Sequence, residues 1–153
     1  MKAKGGFTLV EILIVVVILG ILAAIVIPQF TNASTEAKRN SLMSNLQTVR
    51  SQIQLYKVQH NDNLPGVANG THTAGLGFVS SLTAKSDIYG ESGSTYGPYL
   101  QQMPKNPFNN KATVDIDGTV GDNNAGWEFN TSTGAFVADD GGTCADGTAH
   151  SAL

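Results

Sequence analysis

Hydrophobic positions crowd the front of this chain and then thin into a periodic stripe. From Ile12 to Ile27 no side chain is polar. Phe7 to Ile27 is 21 residues, sixteen of them Ile, Leu, Val or Phe. As a helix the segment is about 32 Å long, enough to cross a hydrocarbon core of roughly 30 Å. Sixteen such side chains at roughly −0.4 kcal/mol each favour insertion by about −6 kcal/mol. Glu11, near the end of the run, opposes this by at most about 3 kcal/mol. Residues 7–28 therefore predict a transmembrane helix. A cleaved secretory signal fits less well. The apolar run exceeds the roughly 7–15 residues of a signal core, and no A-x-A site follows it. Charge does not orient the span, because Lys2 and Lys4 before it are matched by Lys38 and Arg39 after it.

Beyond Pro28 the pattern changes to helical periodicity over residues 29–60. Leu42, Leu46, Val49, Ile53 and Tyr56 recur at spacings of 4, 3, 4 and 3, one apolar face of a helix. Phe30, Ala33 and Ala37 form an earlier stripe out of phase with it. The polar stretch Gln29 to Asn40 is expected to face water or other subunits, and the later stripe to face a core. One helix from Phe7 to Tyr56 would be about 75 Å long. The breaker cluster Asn61-Asp62-Asn63-Leu64-Pro65-Gly66 should end it near His60. Within residues 61–153, Ala74 to Ala84 predicts a short helix and Ala112 to Ile116 a short strand. Trp127-Glu128-Phe129 and Ala135-Phe136-Val137 alternate apolar and polar around Asn130-Thr131-Ser132-Thr133-Gly134, which predicts a β-hairpin. Gly90 to Gly97 and Tyr99 to Pro107 should be irregular. The C-terminal Gly/Thr/Ala/Asp tail around Cys144 reads as flexible.

Charge divides the chain in the same place. Up to Lys57 there are six basic and two acidic residues; from Val58 onward there are three basic and ten acidic, a net of −7. A head so acidic repels phosphate and disfavours nucleic acid as a partner. The single Cys144 excludes an intrachain disulfide and any multi-cysteine metal site. His60, His72 and His150 show neither metal-ligand spacing nor a catalytic motif, and nothing reads as an active site. The length allows one small domain with an appendage.

Glu11 is the chemically odd residue of the span. No basic side chain lies one helical turn from it, so its partner must be backbone, a new N-terminus or another chain. Gly5-Gly6-Phe7-Thr8-Leu9-Val10-Glu11, followed by the apolar run to Pro28, resembles the class III signal segment of type IV pilins and type II secretion pseudopilins. The resemblance implies that residues 1–6 are a cytoplasmic leader, cut after Gly6 by a prepilin peptidase that then N-methylates Phe7. It also implies that Glu11 pairs with the N-terminal amine of a neighbouring subunit. Cleavage there suits the chemistry, since Gly6 puts no side chain in a protease cleft. Gly20 and Pro28 both weaken a helix, so a kink or melted stretch is expected between them when subunits pack.

Gly97-Pro98-Tyr99-Leu100, Met103-Pro104-Lys105-Asn106-Pro107-Phe108 and Gly126-Trp127-Glu128-Phe129, with Gly134 beyond, are similar to the head of the major type II secretion pseudopilin. The segment Gly66 to Gly97 departs from that pattern, being longer and rich in Ser, Gly and Thr. Such heads commonly hold calcium in a C-terminal loop, which makes Asp139 and Asp140 calcium candidates, with Asp115, Asp117 and Asp122 earlier. The Asp115–Gly118 run is not a full EF-hand loop.

Together these readings give an α+β, pilin-like fold: a long N-terminal helix, half transmembrane and half amphipathic, packed on a small antiparallel β-sheet head. They imply a non-enzymatic subunit of a type II secretion pseudopilus, a self-polymer anchored in the bacterial inner membrane with its N-terminus cytoplasmic and its head periplasmic. Its implied partners are the prepilin peptidase, the inner-membrane assembly platform, minor pseudopilins and the lipid bilayer. Gly6 and Phe7 carry processing, and Glu11 and Pro28 carry assembly. The alternatives are a type IV pilus subunit and a single-span anchored binding protein that never polymerises.

Overall fold

The computed structural model describes residues 6–68, 71–72 and 77–153. Most of the leader, and the front of the helix expected over Ala74–Ala84, lie outside these. The chain divides into two units, residues 1–37 and 38–153. One helix, α1 (Leu9–Gln59), contributes to both.

In the first unit α1 carries a segment long and apolar enough to cross a membrane. Its apolar side chains are all exposed in the single chain, from Leu9 at 81% to Val26 at 44%. The helix runs through Gly20 and Pro28 without a break. Pro28 has no N–H to offer the Ala24 carbonyl. Beyond it, Thr31 Oγ1 donates to the Ile27 carbonyl at 3.2 Å and Thr35 Oγ1 to the Thr31 carbonyl at 3.0 Å.

In the second unit the apolar stripe is the core face of α1. Leu42, Leu46, Val49, Ile53 and Tyr56 are each at most 1% exposed. They pack with Phe78, Leu82, Met103, Trp127, Phe129, Phe136 and Ala138 into one cluster. The helix ends where Asn61 and Asp62 enter the left-handed region, at φ of 51° and 63°. There the Asp62 amide closes onto the Lys57 carbonyl at 3.0 Å.

Two short strands follow, β1 (Val67–Ala68) and β2 (Thr71–His72), paired antiparallel. After α2 (Phe78–Thr83) come β3 (Val114–Ile116), β4 (Trp127–Phe129) and β5 (Phe136–Ala138), in sheet order β3-β4-β5. The β4–β5 hairpin is antiparallel, with Trp127 opposite Ala138 and Phe129 opposite Phe136. Asn130 builds its turn: its Oδ1 accepts from the Ser132 and Thr133 amides at 3.1 and 2.8 Å. The sheet is mixed rather than wholly antiparallel, because β3 runs parallel to β4. The loop between them reverses the chain through left-handed residues at Asp117, Gly121 and Asn123. Alternation also fails to put Glu128 in water: all of β4 is buried, Glu128 being 2% exposed.

The proline-rich segment is tied from several sides. Trp127 Nε1 donates to the Pro104 carbonyl at 2.8 Å, and Tyr99 Oη to Gln59 Oε1 at 2.6 Å. Gly126 must be glycine, since a Cβ there would collide with the Lys111 carbonyl. The C-terminal tail, expected to be flexible, folds against the head and ends in a 3-10 turn, His150–Ala152. Cys144 is 7% exposed and His150 3%.

Candidate functional site

Gly6 and Phe7 lie outside the helix; Phe7 is 84% exposed, and nothing lies within 4 Å of where a Gly6 side chain would project. Thr8 then starts α1. Its backbone N–H and its hydroxyl both donate to Glu11 Oε2 at 2.8 Å, and the Glu11 amide reaches back to Thr8 Oγ1 at 3.3 Å. This is a reciprocal capping box, written in the sequence as T-x-x-E. Of the partners open to Glu11, the single chain supplies the local backbone and adds the Thr8 hydroxyl. The spacing alone could have shown this, but the apolar run drew the reading toward a buried charge.

Four aspartates of the head serve the fold. Asp139 is fully buried; its Oδ1 accepts from the Gly121 amide at 2.7 Å and its Oδ2 from the Ala125 amide at 3.0 Å. Asp140 Oδ1 accepts from the Gly142 amide at 2.8 Å and meets His150 Nδ1 at 2.7 Å, while its Oδ2 accepts from Asn106 Nδ2 at 2.7 Å. Asp117 takes the amide and hydroxyl of Thr131, and Asp122 the amide and side chain of Asn124. Calcium needs six to eight oxygens free to face it. Among the described residues no three His, Cys, Asp or Glu side chains form a metal-binding group. Each of the four oxygens of Asp139 and Asp140 faces a protein donor.

His60 has a serine partner that sequence spacing could not reveal. Its Nε2 lies 2.8 Å from Ser86 Oγ and its Nδ1 2.8 Å from the Tyr56 carbonyl. The carbonyl can only accept, so Nδ1 carries the proton and Nε2 accepts from the serine. Ser86 is 4% exposed and His60 wholly buried, with its ring stacked 3.7 Å from that of Tyr56. The pair anchors the end of α1 to the segment after α2.

An exposed apolar helix behind a capped N-terminus, continuing into a small mixed α+β head, defines a pilin-like protein. Residues 1–27 match the family model of the prokaryotic N-terminal methylation motif. The type II secretion system core protein G of Klebsiella pneumoniae is 31% identical over 110 residues, covering 71% of this chain and 71% of that protein. Its namesake in Pseudomonas aeruginosa is 30% identical over 120 residues, covering 78% and 79%. That of Vibrio cholerae serotype O1 is 27% identical over 146 residues, covering 90% and 92%. No solved structure gives a significant match. The chain belongs to the type II secretion system core protein G family, whose members are pseudopilins.

Proposed function

We propose that this chain is the filament-forming subunit of a type II secretion pseudopilus. Prepilin peptidase removes residues 1–6 and methylates Phe7. The mature chain waits in the inner membrane as a single span, N-terminus cytoplasmic and head periplasmic, until the assembly platform extracts it into a helical polymer with minor pseudopilins. One observation carries this reading: the Gly6–Phe7 junction is open and directly precedes a helix whose first carboxylate, Glu11, is already oriented by Thr8. Both Thr8 bonds fall on Oε2, and the new amine of a neighbouring Phe7 is a cation suited to the same carboxylate. Removing one partner of such a low-dielectric pair costs roughly 3–5 kcal/mol. Within this reading Gly20 and Pro28 are where the helix yields as subunits pack.

The test is intact-mass and N-terminal peptide mass spectrometry of the chain extracted from host membranes. A chain beginning at N-methyl-Phe7 is expected. A chain retaining Met1 to Gly6 in cells with active peptidase refutes the processing, and Glu11→Leu assembling at wild-type yield refutes the pairing.

A further inference from the structure

The head is electrically two-sided. From Lys38 to Gln59, α1 carries Lys38, Arg39, Arg50 and Lys57 and no carboxylate, whereas from Val58 onward three lysines stand against ten acidic side chains. Arg39 pairs with Asp146 at 3.5 Å, and the Lys38 amine lies 6.0 Å from the centre of the Phe108 ring. Arg50 and Lys57 have no ion-pair partner among the described residues. Arg50 is half-buried, and its Nε donates to the Phe136 carbonyl at 2.9 Å. Burial disfavours its charge, and a carboxylate brought from outside would offset that. The two cations are seven residues apart, so they lie two turns, about 10 Å, apart along one edge of the helix. Beside them Leu55 is 44% and Val58 79% exposed. Outside its core stripe, α1 thus leaves open an apolar strip with a basic edge.

The complement is the loop that follows Ser86. Asp87 Oδ1 accepts from the Tyr89 and Glu91 amides at 2.9 and 3.0 Å. The Asp87 amide donates to the Glu91 carbonyl at 3.0 Å, and the Gly90 amide to the Asp87 carbonyl at 3.1 Å. Ser86 is bridged to Ser92 and Tyr96 and is held by His60. Gly93 lies so close that a Cβ there would strike the Asp87 amide. This scaffold presents Ile88, 38% exposed, and Tyr89, 51% exposed, between the two acidic residues Asp87 and Glu91. An aromatic anchor on a loop ordered in advance binds at a low entropic cost. The loop lies in the Gly66–Gly97 segment that departs from the pseudopilin head pattern. No ion pair joins it to Arg50 or Lys57 among the described residues of one head.

We propose that the Asp87–Glu91 loop of one subunit docks on the Arg50–Val58 strip of a second copy, with Ile88 and Tyr89 against Leu55 and Val58 and the two carboxylates toward Arg50 and Lys57. The proposal rests on the polymer reading and adds which head surfaces meet. The contact joins two different patches, so it repeats from copy to copy and gives the assembly a direction. A few side chains fall well short of the roughly 800 Å² per partner that a stable complex buries. The contact therefore works alongside the apolar helices of the same polymer and selects among their possible arrangements.

The experiment uses the full chain in its native membranes, in a Cys144→Ala background. Two differently tagged chains, one Val58→Cys and one Tyr89→Cys, are expressed together and treated with a short bis-maleimide. Polymer is read separately, as a ladder of amine-cross-linked oligomers from the same cells. The mixed product is expected to dominate over either same-site product. Lys57→Glu in the first chain should reduce it about two- to fivefold, the range of one exposed charge pair. Glu91→Lys in the second chain should then restore it, which a merely structural effect of either substitution would not do. Leu55→Cys with Ile88→Cys is the second pair, should Tyr89→Cys weaken the contact it reports. Same-site products in excess mean a symmetric contact and overturn the proposal. So does the absence of mixed product from both pairs in cells whose ladder persists, or capture of the thiols by a different protein. A missing ladder in the unsubstituted chain overturns the polymer reading itself.

Discussion

Asp139→Asn changes one buried atom and leaves the shape intact. The carboxylate serves two backbone amides at once, Gly121 at 2.7 Å and Ala125 at 3.0 Å, from a fully buried position. An asparagine can accept from only one of them; its amino group then faces the other N–H, donor against donor. The lost charge-assisted bond and the orphaned buried donor each cost roughly 1–3 kcal/mol, for a total of about 3 kcal/mol. Removing a negative charge near Glu128 works in the opposite direction. That offset is the smaller effect, because the Asp139 charge is a lesser cause of the upward shift of the Glu128 carboxyl than burial. For a head of this size about 3 kcal/mol lowers the melting midpoint by roughly 10 °C. Trp127, the single tryptophan, is fully buried at the centre of the core, so its fluorescence reports head unfolding in the full chain in micelles. A midpoint drop below about 3 °C, on the same scale, would refute the assignment of both bonds. A wild-type midpoint raised by calcium as much as the mutation lowers it would show that the carboxylate serves an ion.

Leu46, 1% exposed in the middle of the α1 stripe, should lose about 2–5 kcal/mol of head stability on substitution by alanine, read as a lower denaturant midpoint with unchanged slope. His150→Ala removes the partner that pins Asp140 from the tail, where the two side chains are 3% and 2% exposed. Limited proteolysis should then cut between Gly141 and Ala149 well before the head unfolds, and a tail as resistant as wild type would contradict the clasp. Thr8→Val deletes the hydroxyl shared with Glu11, while Thr8→Ser keeps it. Losing such a cap costs about 0.5–2 kcal/mol. Amide exchange at Leu9–Glu11 in micelles should quicken in the valine variant and stay near wild type in the serine one.

What could be read from the sequence was what depends on neighbours along the chain. The 4-3-4-3 stripe from Leu42 to Tyr56 is the buried face of α1, because helical periodicity is a local property. The Asn61–Gly66 breakers stop α1 at Gln59, and Asn130 turns the β4–β5 hairpin. Elements that depend on pairing in space were missed. Nothing between Ile116 and Trp127 announces a parallel return, since it rests on left-handed residues rather than a crossover helix. Glu128 reads as a solvent-facing strand position, yet the 117–121 loop folds over it. Asp139 and Asp140 read as ion ligands because carboxylates in glycine-rich loops attract cations. Spacing did not show that backbone amides, Asn106 and His150 from up to 34 residues away also reach them. The tail's Gly, Thr and Ala composition hid His150, which clasps Asp140 from the tail.

The first unit poses a different problem, because its apolar surface says how strongly it avoids water but not what should cover it. Lipid tails and the face of another such helix are about equally apolar, so exchanging one for the other supplies little hydrophobic drive and no register. Fifteen Ile, Leu and Val side chains spread around α1 from Leu9 to Ile27 would accept a neighbour at many offsets. A polar group inside that surface is different, since it is satisfied at one offset and stranded at the others. Glu11 is the only ionisable side chain from Phe7 to Ile27, and Thr8 fixes its carboxylate at the start of the helix rather than leaving it to rotate. On the proposed reading the apolar run sets the affinity for the membrane and for the filament core alike, while the Thr8–Glu11 pair decides which of the many apolar contacts becomes the assembled one. The two roles are separable. Substitutions among the apolar residues that preserve hydrophobicity should leave subunit register unchanged, and a single change at Glu11 should abolish it while leaving membrane insertion intact.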